Sequence, residues 1–133
     1  MTVLPGRLVL IGHPVSHSRS PAFQNAALRS AGLPLTYEAL DVPPGQLERV
    51  VASLRAAGAA GNVTVPYKHA FVACCARLSP IAERVGAVNT FWCEDGALAG
   101  DNTDVGGFEE AIGRAFGAER RWRRPIGCGP RCG

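Results

Sequence analysis

Three short strand-like runs alternate with two helix-like segments across the first half of the chain, and that alternation leaves few folds open. Leu8-Val9-Leu10-Ile11 is an apolar run ending at Gly12, short enough for a buried strand. Leu35–Leu40 reads as a second strand, with Thr36 and Tyr37 adding β preference. Between them Ser20 suits an N-cap and Pro21 the first helical position, so a helix is predicted to start there and run to about Ala31, ending at Gly32. Leu47, Val50, Val51 and Leu54 follow the i, i+3, i+4, i+7 stripe of a helix packed on a sheet, and Gly58 would close it. The third strand is expected at Asn62-Val63-Thr64-Val65, where apolar Val63 and Val65 alternate with polar Asn62 and Thr64. Strand, helix, strand, helix, strand with short connections requires a parallel sheet with helices on its faces.

Pro66 removes a ladder donor and should stop the third strand, leaving Tyr67 and Lys68 in the turn at its carboxyl end. A helix is expected from roughly Lys68 to Leu78 and a short one after Ser79-Pro80. Ala87–Glu94 reads as a strand, Asp95-Gly96 as a tight turn, Ala97–Gly100 as the return arm of a hairpin, and Asp104–Phe116 as the last helix. The fold class expected is therefore α/β: an open, mostly parallel sheet with helices on both faces and a C-terminal hairpin plus helix. With 133 residues, 47% of them hydrophobic, there is enough for one core and not for two full-sized domains. That core is assigned to residues 1–117, and residues 118–133 to an Arg/Gly/Cys-rich tail that is not a folded domain.

The formal charge of +3 belongs to that tail. Arg120, Arg121, Arg123, Arg124 and Arg131 lie among the last fourteen residues, and without them the balance would be −2. Nucleic-acid binding is not expected. No apolar run has transmembrane length, so no membrane partner is expected either, and a cytoplasmic protein is the default. Five cysteines form no CxxC pair and no matched histidine spacing, which supports reduced thiols rather than disulfides or a metal site.

The residues that can carry chemistry cluster at predicted strand ends. A lysine after a strand is ordinarily a solvated charge, but at the carboxyl end of a parallel sheet Lys68 could donate to a ligand oxygen, and partial burial would make it usable near neutral pH. Asp104, where the hairpin hands over to a helix, is either the carboxylate partner of Lys68 or a helix cap. Ser18 and Ser20 stand beside first-turn N–H groups and could hold a carboxylate, or Ser20 could simply cap its helix. Asn62, Thr64 and Asn89 offer uncharged groups suited to the hydroxyls of a polyol, or to local backbone groups.

Four motifs in order decide between these alternatives. His17-Ser18-Arg19-Ser20-Pro21, Asn62-Val63-Thr64-Val65-Pro66-Tyr67-Lys68, Gly86-Ala87-Val88-Asn89-Thr90 and Gly100-Asp101-Asn102-Thr103-Asp104 together resemble the substrate-binding domain of shikimate dehydrogenase, over roughly residues 7 to 112. The resemblance implies an NADP-dependent oxidoreductase that interconverts 3-dehydroshikimate and shikimate on the route to chorismate. It also implies Ser18 and Ser20 on the substrate carboxylate, Asn62, Thr64 and Asn89 around the carboxylate or ring hydroxyls, and Lys68 with Asp104 as the catalytic pair. Quinate as the substrate, or shikimate binding without turnover in a truncated fragment, fits the same motifs. Gly127-Cys128-Gly129 is only loosely like a phosphate loop, so the cofactor-binding half is expected to be missing from this chain. Without the family's return helices, the chain is expected to be weakly stable or to self-associate, as a homodimer or otherwise.

Overall fold

The computed structural model describes residues 3–116, and the chain divides into two units, Met1–Thr103 and Asp104–Gly133. In the first, strand β1 (Leu8–Gly12) lies between β2 (Tyr37–Asp41) and β3 (Ala60–Val63), parallel to both, with helices α1 (Ser20–Ser30) and α2 (Leu47–Ala56) as the crossovers. The side chains of β1 alternate between two cores. Val9 and Ile11 join Val51 and Leu54 of α2 on one face, whereas Leu10 meets Val15, Tyr37 and Leu28 of α1 on the other. Helices therefore cover both faces of an open α/β sheet, as the alternation in the sequence requires.

Strands β5 (Thr90–Glu94) and β6 (Ala97–Asp101) form the expected hairpin, closed by Asp95-Gly96 with φ of 52° and 75°. Two consecutive positive φ values match a turn whose twist suits a two-residue hairpin. The hairpin joins the parallel half antiparallel to β3, and β4 (Arg77–Leu78) adds to the far edge parallel to β6, giving the order β2-β1-β3-β5-β6-β4. Helix α3 (Pro80–Val85) begins where Ser79 accepts a hydrogen bond from Ala82 N at 3.1 Å. At the outer edge, Asn25 of α1 acts as a substitute neighbour for β2: its amide donates to Tyr37 O at 2.9 Å and its oxygen accepts from Tyr37 N at 2.8 Å.

Four expectations need correction. The helix predicted from Lys68 to Leu78 is a 3-10 turn over Ala70–Cys74 followed by β4. Phe71 is driven into the core against Phe91, ring centroids 5.0 Å apart, and the chain then extends so that Ala76 N and Ser79 N reach Leu98 O and Gly100 O. The apolar run through Cys75 has no polar face, so periodicity could not choose between helix and strand. Second, β3 ends at Val63; Val63 is buried while Val65 is 66% exposed, because the chain turns before the alternation can continue. Third, Ala87–Asn89 is buried irregular chain and β5 begins only at Thr90. Fourth, Ser20 is the first residue of α1 rather than its cap.

The second unit opens with α4 (Asp104–Phe116), which carries Asp104 in its first turn, Arg114 in its last, and an ion pair between Glu110 and Arg114 one turn apart. The tail assigned to residues 118–133 lies outside the described residues. Replacing Phe71 with Ala should cost about 3–5 kcal/mol of unfolding free energy in a urea titration, since it empties a fully buried aromatic site.

Candidate functional site

The carboxyl ends of β1 and β3 meet without room for a side chain. A Cβ on Gly12 would lie 2.5 Å from Thr64 Cγ2, 2.6 Å from Val15 Cγ1 and 2.9 Å from Val65 O, so only glycine fits at the end of β1. Backbone pairing runs past the strand ends: Thr64 N donates to Ile11 O at 2.8 Å and His13 N to Val65 O at 3.1 Å. The serine loop that follows Gly12 and the Thr64 turn are thus held together as one rim. With its methyl against Gly12, Thr64 has no side-chain hydrogen bond among the described residues.

Inside the serine loop, Ser18 N donates to Val15 O at 3.0 Å, and Ser18 Oγ accepts from Ser20 N at 3.2 Å. Ser18 therefore serves the start of α1, and the Ser20 hydroxyl makes no capping bond. Both serines are half-buried. His13 Nδ1 donates to Asp41 Oδ1 at 2.9 Å, tying the loop to the end of β2.

Lys68 follows this rim on a tightly anchored backbone. Tyr67, buried, donates its hydroxyl to Val42 O at 2.5 Å and its N–H to Thr64 O at 3.0 Å. Lys68 O accepts from Val88 N at 2.8 Å, and His69 Nδ1 donates to Gly86 O at 2.9 Å. The lysine segment and the Gly86–Asn89 segment are accordingly one substructure, with Lys68 itself half-buried.

Asn62 and Asn89 are brought together by a directed network that the sequence did not announce. Tyr37 OH donates to Asn62 Oδ1 at 2.9 Å, while Asn62 Nδ2 donates to Asn89 O and Thr90 Oγ1, each at 3.2 Å. Thr90 OH donates to Asn89 Oδ1 at 3.0 Å, the same oxygen that accepts from Thr103 N at 2.9 Å, and Asn89 Nδ2 donates to Thr103 Oγ1 at 2.9 Å. The Asn62 carboxamide is thus engaged at both ends by protein, whereas Thr64, Ser20 and one N–H of Asn89 keep hydrogen-bonding capacity. Tyr37, Thr90 and Thr103 are the residues missed. Thr90 and Thr103 stood inside quoted motifs, but Tyr37 carried only a β-preference signal.

Asp104 follows Thr103 directly in the chain and opens α4 in the second unit. Among the described residues no group of histidine, cysteine or acidic side chains could hold a metal ion. Burial pushes the Cys75 thiol up to about 11 and raises Cys74 as well, so neither is an activated nucleophile.

Burial also pushes the Tyr37 phenol from 10.0 up to about 12. Between these values the unfolded chain has lost the proton that the folded one keeps, so stability is full below about pH 10 and falls as pH rises toward 12. Tyr37→Phe should cost about 1–3 kcal/mol at neutral pH, by leaving Asn62 Oδ1 short of a donor. It should also flatten the loss between pH 10 and 12, which urea titrations across that window would check.

Comparison with known proteins places the chain in a family. Residues 10–91 match the family model described as the shikimate dehydrogenase substrate binding domain. The NADP(+) shikimate dehydrogenase of Symbiobacterium thermophilum is 50% identical over 106 residues, which is 78% of this chain and 36% of that protein. That of Rubrobacter xylanophilus is 52% identical over 101 residues, 74% of this chain and again 36% of the relative. Shikimate 5-dehydrogenase from Thermus thermophilus, solved in complex with NADP(H) and shikimate, superposes with a TM-score of 0.77 at 44% identity, covering 82% of this chain and 42% of that one. The chain spans little more than a third of the length of these curated relatives, and on its family-model match it belongs to the shikimate dehydrogenase substrate-binding domain family.

Proposed function

We propose that this chain is the substrate-binding part of an NADP-dependent shikimate dehydrogenase, holding shikimate or 3-dehydroshikimate at the carboxyl end of β1 and β3. The single observation that carries this reading is the rim at Gly12, where the serine loop and the Thr64–Lys68 turn are held in contact with hydroxyls left uncommitted. In this reading Ser18 and Ser20 take the carboxylate, Thr64 and Asn89 take ring oxygens, and Asn62 holds Asn89 in place. Lys68 gives a proton to the ring oxygen on reduction and recovers it on oxidation. Asp104 enters as its partner on the strength of its motif.

NADP, the hydride carrier of the relatives, has no fitting seat among the described residues. The turn from β1 to α1 carries His13, Pro14 and serines, and that from β2 to α2 carries Pro43-Pro44-Gly45, neither with the glycine spacing of a dinucleotide loop. No step is therefore derived through the nucleotide. The cytoplasm is the compartment proposed, supported by Cys74, Cys75 and Cys93 remaining free thiols.

Calorimetric titration with shikimate should give saturable binding, weakened roughly tenfold or more by Ser18→Ala with Ser20→Ala, where two hydroxyls leave a charged group unpaired. Absence of binding by the folded chain would overturn the substrate-site reading. NADPH oxidation with 3-dehydroshikimate in the same preparation, lost in Lys68→Ala, would distinguish an enzyme from a module that only binds. We also propose self-association, supported by exposed apolar side chains such as Phe23 at 72% and Trp92 at 38%. Sedimentation velocity should show species heavier than a monomer.

A further inference from the structure

The polarity of the chain running from Asn62 through Thr90 to Asn89 is fixed at both ends by backbone atoms, each of which has one role only. A main-chain N–H can only donate, so the Asn89 atom 2.9 Å from Thr103 N is the carboxamide oxygen. A main-chain carbonyl can only accept, so the Asn62 atom 3.2 Å from Asn89 O is the nitrogen. Thr90 Oγ1 lies between them, 3.2 Å from Asn62 Nδ2 and 3.0 Å from Asn89 Oδ1. It accepts from the first, and its one proton goes to the second.

The inventory at Asn89 then closes. Thr103 N and the Thr90 hydroxyl occupy both lone pairs of Oδ1, and one Nδ2 hydrogen goes to Thr103 Oγ1. The other Nδ2 hydrogen takes no partner among the described residues, on a residue only 8% exposed. A buried N–H in that condition is strongly selective, because a ligand that cannot accept from it leaves it unpaired.

Resting on the substrate-site reading above, we infer that Thr90 is a positioning residue that makes Asn89 a donor-only contact, so that Asn89 selects a ligand oxygen able to accept. A hydroxyl, ketone or carboxylate oxygen satisfies it, and an ammonium does not. A hydroxyl bound there uses a lone pair on Asn89 and must send its proton elsewhere. Without the Thr90 hydroxyl, Oδ1 regains an open lone pair, the carboxamide is held at two points instead of three, and both grip and selectivity fall.

Titration of the full chain with shikimate, read by two-dimensional NMR of side-chain amides, tests this. In the wild type only one of the two Asn89 Nδ2 protons should shift on binding; shifts at both or at neither overturn the assignment, whatever the variants do. Thr90→Val should weaken binding roughly tenfold, Thr90→Ser should stay within roughly twofold, and Thr90→Val added to Asn89→Ala should weaken it no further than Asn89→Ala alone. A merely structural role for Thr90 would leave its effect undiminished in the Asn89→Ala background, and that result, or equal affinity of Thr90→Val and wild type, sinks the inference while the substrate site stands. A wild type that binds no shikimate removes the substrate site itself and the inference with it.

Discussion

Burying an amide group next to a sheet is costly unless every one of its polar atoms finds a partner, and Asn89 is where this unit meets that constraint. Its main chain donates to Asp101 O at 3.0 Å and accepts from Val63 N at 2.8 Å, so the residue lies between the parallel strands and the returning hairpin. Its side chain is bound to Thr90 and Thr103. The join between β3 and β5 depends on this node being satisfied, and so does the position of Lys68, whose carbonyl is held by the neighbouring Val88 N–H. No buried side-chain nitrogen or oxygen among the described residues lacks a hydrogen-bond partner. The polar groups that hold the sheet together and those with hydrogen-bonding capacity left over are therefore parts of one network, and the same bonds orient both.

What the sequence made legible follows from which signals are local. The apolar run Leu8–Ile11, the Leu47–Leu54 stripe and the Asp95-Gly96 turn each state a structure within a few residues, and β1, α2 and the hairpin form accordingly. The stretch after Lys68 failed because its choice was not local: Phe71 is claimed by Phe91, and Ala76 by the carbonyl of Leu98, each about twenty residues away. Val65 was misjudged for a related reason, since alternation describes a strand only as long as the strand lasts.

The candidate site shows the same division. Ser18, Ser20, Thr64, Lys68 and Asn89 could be named from motifs, but the motif said nothing of what each side chain would already be holding. Asn62 reads as a ligand group in the sequence, yet both ends of its carboxamide are engaged by Tyr37, Asn89 and Thr90. Tyr37 reaches it from β2 across β1, a relation created only when β1 inserts between its neighbours. Ser20 does not cap α1, because the helix starts one residue earlier than an N-cap assignment assumed; Ser18 Oγ accepts from Ser20 N instead, and the Ser20 hydroxyl makes no capping bond.

Gly12 has a consequence for how such a site can change. Because the serine loop and the Thr64 turn touch with no side chain between them, the distance separating their hydroxyl groups acts as a calliper set by backbone contact. Side-chain replacement at the end of β1 cannot widen that setting by degrees, since even one added carbon pries the two segments apart. If the rim holds the proposed substrate, a change of ligand size would have to be written into the length and path of residues 13–18. The hardest position in the rim to vary is thus the one with no functional group at all.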